Sequence, residues 1–248
     1  MLRRLFEKDE VWFAVVWIII YVVGFANADA ISESLGYPKL LTVFVGLILT
    51  VIIYRFICKK QLKDYYGLCV LKAEYKNYLY FIPLIVISSV NFWNGVTIQT
   101  TMVETVFYIF SMCFVGILEE VIFRGFLFKG MCKSNVKIAI IVSSLTFGIG
   151  HIVNLLLGAP VVDTLLQLVY ATAIGFCFTV IFYVSGSIYP CILSHIVVNT
   201  TSVFAIEPSI QKHIVITVIQ TILSIEYGVW LLKQFNRSQI DKSRSQSI

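Results

Sequence analysis

Charged residues are scarce in this chain of 248 residues, since Asp, Glu, Lys and Arg together make up 13% of it. Proline is also rare, with 5 residues, and there are only 3 histidines. The 6 cysteines stand singly, without a CxxC pair, which argues against a zinc ribbon or a dithiol redox motif. The sequence lacks a glycine-rich phosphate loop, a dinucleotide-binding fingerprint and internal repeats. These absences argue against nucleotide-binding and repeat proteins.

Apolar residues dominate instead, because 58% of the chain is hydrophobic and the mean hydropathy is +0.88. This composition is far from that of an average soluble domain. A bilayer core of about 30 Å needs about 20 apolar residues per helix. The sequence therefore predicts an all-α, polytopic membrane protein with about eight transmembrane helices in one bundle. The predicted spans are residues 11–26, 38–58, 78–93, 102–128, 136–157, 163–184, 187–206 and 213–232.

Basic residues predict the orientation of this bundle. They gather before the first predicted span, after the second and fourth spans, and in the C-terminal tail, whereas the alternate connections have almost none. The positive-inside rule then places both termini in the cytoplasm. Because the basic residues lie in short connections and not on one soluble face, they do not indicate nucleic acid as a partner.

A single transmembrane domain is predicted over residues 1–236, and its core at about 102–206 carries the polar clusters described next. Residues 237–248, rich in Ser and charge, are predicted to form a disordered cytoplasmic tail. The polar stretch 61–77 is either an interfacial helix on the membrane surface or a solvated loop.

Three polar clusters interrupt the apolar segments, and ionised groups inside spans usually face a cavity or a partner. The first cluster is Glu119-Glu120-Val-Ile-Phe-Arg124. Residues four apart share a helix face, so Glu120 can pair with Arg124, while Glu119 points about 100° away from Glu120. We expect Glu120 and Arg124 to form a neutralised pair that supports the site. Glu119 is then free to act as a base in a cavity, which is what hydrolysis needs.

The second and third clusters each place two side chains one helical turn apart. They are Phe147-Gly-Ile-Gly-His151 and His195-Ile-Val-Val-Asn199. The two glycines after Phe147 leave room for a neighbouring helix or a substrate backbone. A histidine can hold or activate water, and an Asn amide beside a second histidine can donate hydrogen bonds to a developing oxyanion.

Depth in the membrane offers a check on whether these residues meet. At about 1.5 Å of rise per residue, Glu119 lies about 15 Å and His195 about 12 Å from the basic edges of their spans. On the same rise His151 lies about 21 Å from its edge, so its helix must start later, tilt, or have a different boundary.

The ordered triple resembles the CAAX-protease and bacteriocin-processing family of intramembrane endopeptidases. The family pattern reads EExxxR, then FxxxH, then HxxxN or a similar polar residue, and the likeness covers roughly residues 102–206. The resemblance implies a bundle of about eight helices, a polar cavity open to the cytoplasmic side, and a glutamate-activated water that attacks a peptide bond. No cofactor and no metal are part of this hypothesis.

The resemblance also implies roles and substrates. Carried over by position, Glu119 would be the general base and His151 would bind and orient the water. His195 and Asn199 would stabilise the oxyanion, and the ion pair of the first cluster would support the site. The partners would be peptide or lipidated protein substrates and membrane lipid, including prenylated C-termini and bacterial signalling or bacteriocin peptides. A bacterial cell membrane is the expected location.

Three other functions fit the same residues. A zinc metallopeptidase could use Glu119, His151 and His195 as ligands, since two His and one carboxylate form a known catalytic set, although the HExxH spacing is absent. A non-catalytic membrane scaffold or bacteriocin-immunity protein could bind a peptide or partner in the same cavity. A transporter ranks last, because intramembrane carboxylates mark proton relays but no inverted repeat is visible.

Overall fold

The computed structural model describes residues 2–71 and 81–245, and the chain is helical through most of them. Helices are expected because backbone groups in a bilayer must find hydrogen bonds within the chain. Within these residues no strand forms, and Val96 and Ala205 make one isolated bridge. The helices are α1 Leu2–Lys8, α2 Glu10–Ser34, α3 Leu40–Lys59, α4 Ile82–Ser88, α5 Met102–Cys132, α6 Val136–Gly150, α7 Val153–Leu156, α8 Val161–Ser185, α9 Tyr189–Thr201 and α10 Ile210–Ser245.

Six helical stretches of the described chain are long and apolar enough to cross a membrane. They are α2, α3, α5, α6 continued through α7, α8, and α10 as far as Ser238. The predicted all-α, multi-pass membrane protein is confirmed, but two of the eight predicted spans are shorter than expected. The helix α4 has 7 residues and α9 has 13, each with a proline in its first turn. Residues 78–80 of the predicted third span lie outside the described part.

Cross-helix contacts define two ends of the bundle. At one end, Lys133 pairs with Glu10 at 2.7 Å, and the Ser187 hydroxyl donates to the Cys69 carbonyl at 2.7 Å. We call this the basic end, because most of the Lys and Arg residues between the helices lie there. At the opposite end, the Thr97 amide donates to the Phe204 carbonyl at 2.8 Å. These contacts show that the helices alternate in direction as the sequence predicts.

Four aromatic side chains fill the bundle near the basic end, and we call them the aromatic plug: Phe13 and Trp17 from α2, Tyr66 from the following loop, and Phe126 from α5. Each is at most 2% exposed. The Phe126 ring lies 5.0 Å from the rings of both Phe13 and Tyr66. Large aromatic rings in edge-to-face contact leave little room for water, so this part of the bundle is a packed core.

The helix α5 changes its winding at the first polar cluster. It is α-helical over Met102–Glu119, π-helical over Glu120–Phe128 and α-helical again over Lys129–Cys132. The Ser143 hydroxyl of α6 donates to the Phe123 carbonyl at 3.0 Å inside the π segment. Short π segments occur often at functional sites, because they turn side chains away from their α-helical directions.

The C-terminal segment differs from its prediction. The helix α10 continues to Ser245, so residues 237–245 are helical where a disordered tail was expected. The reason is local, because no glycine or proline follows Gly228 to end the helix. The predicted tail residues 246–248 lie outside the described part of the chain.

The two glycines of the second cluster have different surroundings. A Cβ at Gly148 would lie 2.9 Å from the Thr172 Cβ and 3.0 Å from the Thr172 Cα of α8. A Cβ at Gly150 would meet nothing within 4 Å. The neighbouring helix therefore occupies the space at Gly148, whereas the space at Gly150 is empty.

This difference predicts opposite responses to one added methyl group. Gly148→Ala should lower the free energy of unfolding by about 1–3 kcal/mol, because α6 and α8 must move apart. Gly150→Ala is the matched control and should leave stability unchanged or slightly higher, since alanine favours helix. Thermal unfolding of the detergent-solubilised variants measures both. Equal midpoints for the two variants would contradict the close approach at Gly148.

Candidate active site

The carboxylate of Glu119 lies near the middle of α5, where that helix faces α2. The Tyr21 hydroxyl of α2 donates to Glu119 Oε1 at 2.6 Å. Both side chains are buried, and Glu119 Oε2 has no hydrogen-bond partner among the described residues. One oxygen is thus held by Tyr21, whereas the other is buried and has no hydrogen bond to the described residues.

The next residue, Glu120, is fully buried and neutralised. Its Oε1 accepts from Arg124 Nη1 at 3.0 Å and from His195 Nδ1 at 2.8 Å. The Arg124 side chain, 0% exposed, also donates from Nη2 to the Gly175 carbonyl of α8 at 3.3 Å. The ion pair predicted from the four-residue spacing is therefore present, and it joins α5, α8 and α9.

The His195 ring lies between the two carboxylates. Because an ionised carboxylate can only accept, we assign the proton at Nδ1 to the bond with Glu120. The other ring nitrogen, Nε2, faces Glu119 Oε2 at 3.6 Å, which is longer than a hydrogen bond. A small movement of either side chain would allow them to share a proton.

The Phe147 ring is the apolar centre of the site. The Arg124 guanidinium stacks over it, with Cζ 4.1 Å from the ring centroid. The rings of His151 and His195 meet it edge-on at 5.6 Å and 5.7 Å. A cation over an aromatic face is favourable, most of all where water is excluded. One phenyl ring thus fixes the positions of three polar side chains from three helices.

A cavity of about 400 Å³ adjoins the Glu119 side chain. It contains the side chains of His151 and Asn199, and neither forms a side-chain hydrogen bond with the described residues. Their polar atoms are therefore available to water or a ligand. Its other polar lining residues are Tyr21, Asp29, Lys39, Thr42, Asn91, Tyr108, Asn154, Gln167, Tyr170 and Ser202.

The structure brings together most of the residues that the sequence nominated, with one difference. Glu119, His151 and Asn199 line the same cavity, but His195 does not. It turns towards the two glutamates instead, although Asn199 follows it by one turn. A later start of the helix does not account for the depth of His151, because α6 begins at Val136 and His151 caps its far end.

Comparison with protein families gave a match to the middle of the chain. Residues 101–201 match the family model described as Rce1-like, Type II CAAX prenyl endopeptidase Rce1-like. The match covers 101 of the 248 residues, so this part of the chain is similar to the Rce1-like family. Comparison with curated proteins and with solved structures gave no match. The resemblance read from the three clusters is confirmed, and the family indicates a CAAX-type membrane peptidase.

The Rce1-like segment contains every residue that the sequence nominated, but it does not contain Tyr21. This tyrosine is 80 residues before the segment, in a span without a recognisable motif. Its ring also contacts Phe25 at 4.6 Å, as expected of an ordinary core aromatic. No signal in the sequence separates Tyr21 from the other aromatic residues of α2, because its role depends on which helix packs against α5.

Metal binding in the Rce1-like core was the second hypothesis, with Glu119, His151 and His195 as ligands. Among the described residues, no three side chains of His, Cys, Asp or Glu are grouped so that they could hold a metal ion. Both nitrogens of His195 already face carboxylates. The donor arrangement therefore gives the zinc hypothesis no support.

The buried pair of the Rce1-like core leads to a stability prediction. Arg124→Met should lower the free energy of unfolding by about 3 kcal/mol, because it leaves the Glu120 carboxylate buried without its cation. The double variant Glu120→Gln with Arg124→Met should recover part of that loss, since no isolated charge remains. Thermal unfolding in detergent measures both variants. A double variant no more stable than the single one would show that Arg124 acts through packing alone.

Proposed function

We propose that this protein hydrolyses a peptide bond in a membrane-associated or lipidated peptide or protein, with Glu119 as general base. The observation that carries the proposal is the buried, unpaired Oε2 of Glu119, a residue that lines a polar cavity, while Tyr21 holds Oε1. A general base needs an oxygen that is free to accept a proton, in a position that does not change during the reaction.

The positions of the cavity residues support the following reaction. A water in the cavity gives a proton to Glu119 Oε2 as its oxygen bonds to the carbonyl carbon of the substrate. The carbonyl electron pair moves to oxygen, and the His151 and Asn199 side chains, both free in the cavity, donate to that oxyanion. The C–N bond then breaks as Glu119 returns the proton to the leaving nitrogen. The products are a carboxylic acid and an amine, so no other reactant is needed.

The second layer of the site keeps the base in place. Arg124 neutralises Glu120, and Glu120 holds the His195 ring by Nδ1. The Nε2 of His195 then lies beside Glu119 Oε2 at 3.6 Å. In this position His195 can share the proton that Glu119 accepts, and it does not contact the oxyanion. This revises the role of His195 that the resemblance implies.

The first test removes the base. Glu119→Gln should reduce peptide cleavage by about 10²–10⁴-fold, which is the range that general-base catalysis contributes. Glu104→Gln is the matched control, because Glu104 lies on the same helix but forms only an N-terminal capping box with Thr101. We would compare peptide termini in cells that hold equal amounts of wild type, Glu119→Gln or Glu104→Gln. A terminus present with wild type and Glu104→Gln but missing with Glu119→Gln is the expected result.

Other outcomes of this test favour the other functions. Termini that are identical in all three strains would count against the peptidase and favour a scaffold or immunity protein. Cleavage that a chelator abolishes and zinc restores would favour the metallopeptidase, even though no suitable ligand group is seen among the described residues. Cleavage retained by Glu119→Gln would remove Glu119 from the mechanism.

A second test concerns Tyr21. Tyr21→Phe removes only the hydroxyl that fixes Glu119 Oε1, so we expect kcat to fall about 10-fold to 100-fold with little change in KM, as for a lost charge-assisted hydrogen bond. Tyr183→Phe, which removes a hydroxyl near the basic end of α8, is the matched control. Both are measured on the substrate that the terminus comparison identifies.

A double variant separates positioning from folding. In the Glu119→Gln background, Tyr21→Phe should cause no further loss of kcat, because the side chain that Tyr21 holds in place no longer acts as a base. A further loss of the same size, or a raised KM with unchanged kcat, would show that Tyr21 contacts substrate or supports the fold instead.

A further inference from the structure

We propose that the substrate reaches Glu119 from the end of the bundle opposite the basic end, which is the extracytoplasmic side in the orientation predicted by the basic residues. This inference rests on the proposed function, because it treats the molecule that enters the cavity as a substrate. The access route itself does not depend on catalysis. It departs from the cytoplasmic opening that the family resemblance implies.

The residues that line the cavity show towards which end of the bundle it extends. On α2 the cavity touches Tyr21, Phe25 and Asp29, which advance towards the end of that helix at Ser34. Its lining also includes Lys39 at the start of α3, and exposed Leu157 after α7. All of these positions lie between Glu119 and the opposite end. The cavity therefore extends from the carboxylate to that surface.

The aromatic plug closes the other direction. On α2, Phe13 and Trp17 precede Tyr21 by two turns and one turn, and on α5 Phe126 follows Glu119 by about two turns. None of the four plug residues lines the cavity, and all are at most 2% exposed. A packed aromatic layer thus separates Glu119 from the basic end.

Charge gives the orientation in the membrane. In the described chain, Lys39 and Lys212 are the Lys or Arg residues near the opposite end, and Lys39 is paired with Asp29 at 2.8 Å. The basic end holds Arg3, Arg4, Lys8, Lys59, Lys60, Lys63, Lys129, Lys133, Lys137 and Lys233. The positive-inside rule places the basic end in the cytoplasm and the cavity mouth outside it.

The depth of the cavity limits the substrate. Asp29 lies eight residues beyond Tyr21 on α2, so the Asp29–Lys39 pair is about 12 Å from the level of Glu119. An extended chain covers that distance in about four residues. The substrate class is therefore a peptide with a segment on the extracytoplasmic face that can enter extended, with the bond to be cut about four residues deep.

Accessibility to a charged, membrane-impermeant thiol reagent tests the route. Met112→Cys places a thiol in the cavity, two turns before Glu119 on α5. Ser111→Cys is the matched control, because Ser111 is the adjacent residue and is 0% exposed. Labelling of Ser34→Cys shows access from the end opposite the basic end, and labelling of Lys8→Cys shows access from the basic end. Each variant is labelled in closed cells and in inverted vesicles, and peptide mass spectrometry separates the added thiol from the native cysteines.

The proposal expects Met112→Cys to react in closed cells, on the same side as Ser34→Cys, about tenfold or more faster than Ser111→Cys. Reaction of Met112→Cys only on the side of Lys8→Cys would overturn it. No reaction from either side would also overturn it, because the cavity would then be closed to water. Reaction of Ser34→Cys only in inverted vesicles would overturn the orientation. None of these readouts requires peptide cleavage, so failure here is distinct from failure of the peptidase proposal.

Discussion

The burial of the Glu120–Arg124 pair is the constraint on which the site depends. Both side chains are 0% exposed, and removing a carboxylate and a guanidinium from water is costly unless their hydrogen bonds are satisfied. The surrounding helices supply some of those partners, namely the His195 ring from α9 and the Gly175 carbonyl from α8, and the Phe147 ring of α6 lies against the guanidinium. Glu120 Oε2 and Arg124 Nε have no partner among the described residues. One buried ion pair is thus in contact with α6, α8 and α9.

Two adjacent glutamates acquire different chemistry from this arrangement. Glu120 has a cation and an imidazole as neighbours, so its charge is balanced inside the protein. Glu119 has the Tyr21 hydroxyl, the distant Nε2 of His195 and the cavity. Two neighbouring titratable residues can take different roles in acid–base catalysis when their environments differ. The change from α-helical to π-helical winding falls between these two residues, since the π segment begins at Glu120.

Local spacing was sufficient to predict part of this site from the sequence. The pairing of Glu120 with Arg124 and the stacking of Phe147 with His151 follow from helical periodicity. The place of His195, the hydrogen bond from Tyr21 and the π segment could not be read in that way. Each depends on which face of one helix meets another, and apolar spans carry little sequence information about their neighbours because most of their faces are similarly hydrophobic.

The length of α9 explains why polar residues collect beside the cavity. With 13 residues it rises about 20 Å, so it ends before it has crossed a bilayer core of about 30 Å. The carbonyls of its last turn must then be satisfied inside the protein. The Thr201 hydroxyl donates to the Val197 carbonyl, and the Ser202 hydroxyl to the Asn199 carbonyl. The polar side chains that close this short helix thus have a structural role, and one of them, Ser202, also lines the cavity next to Glu119.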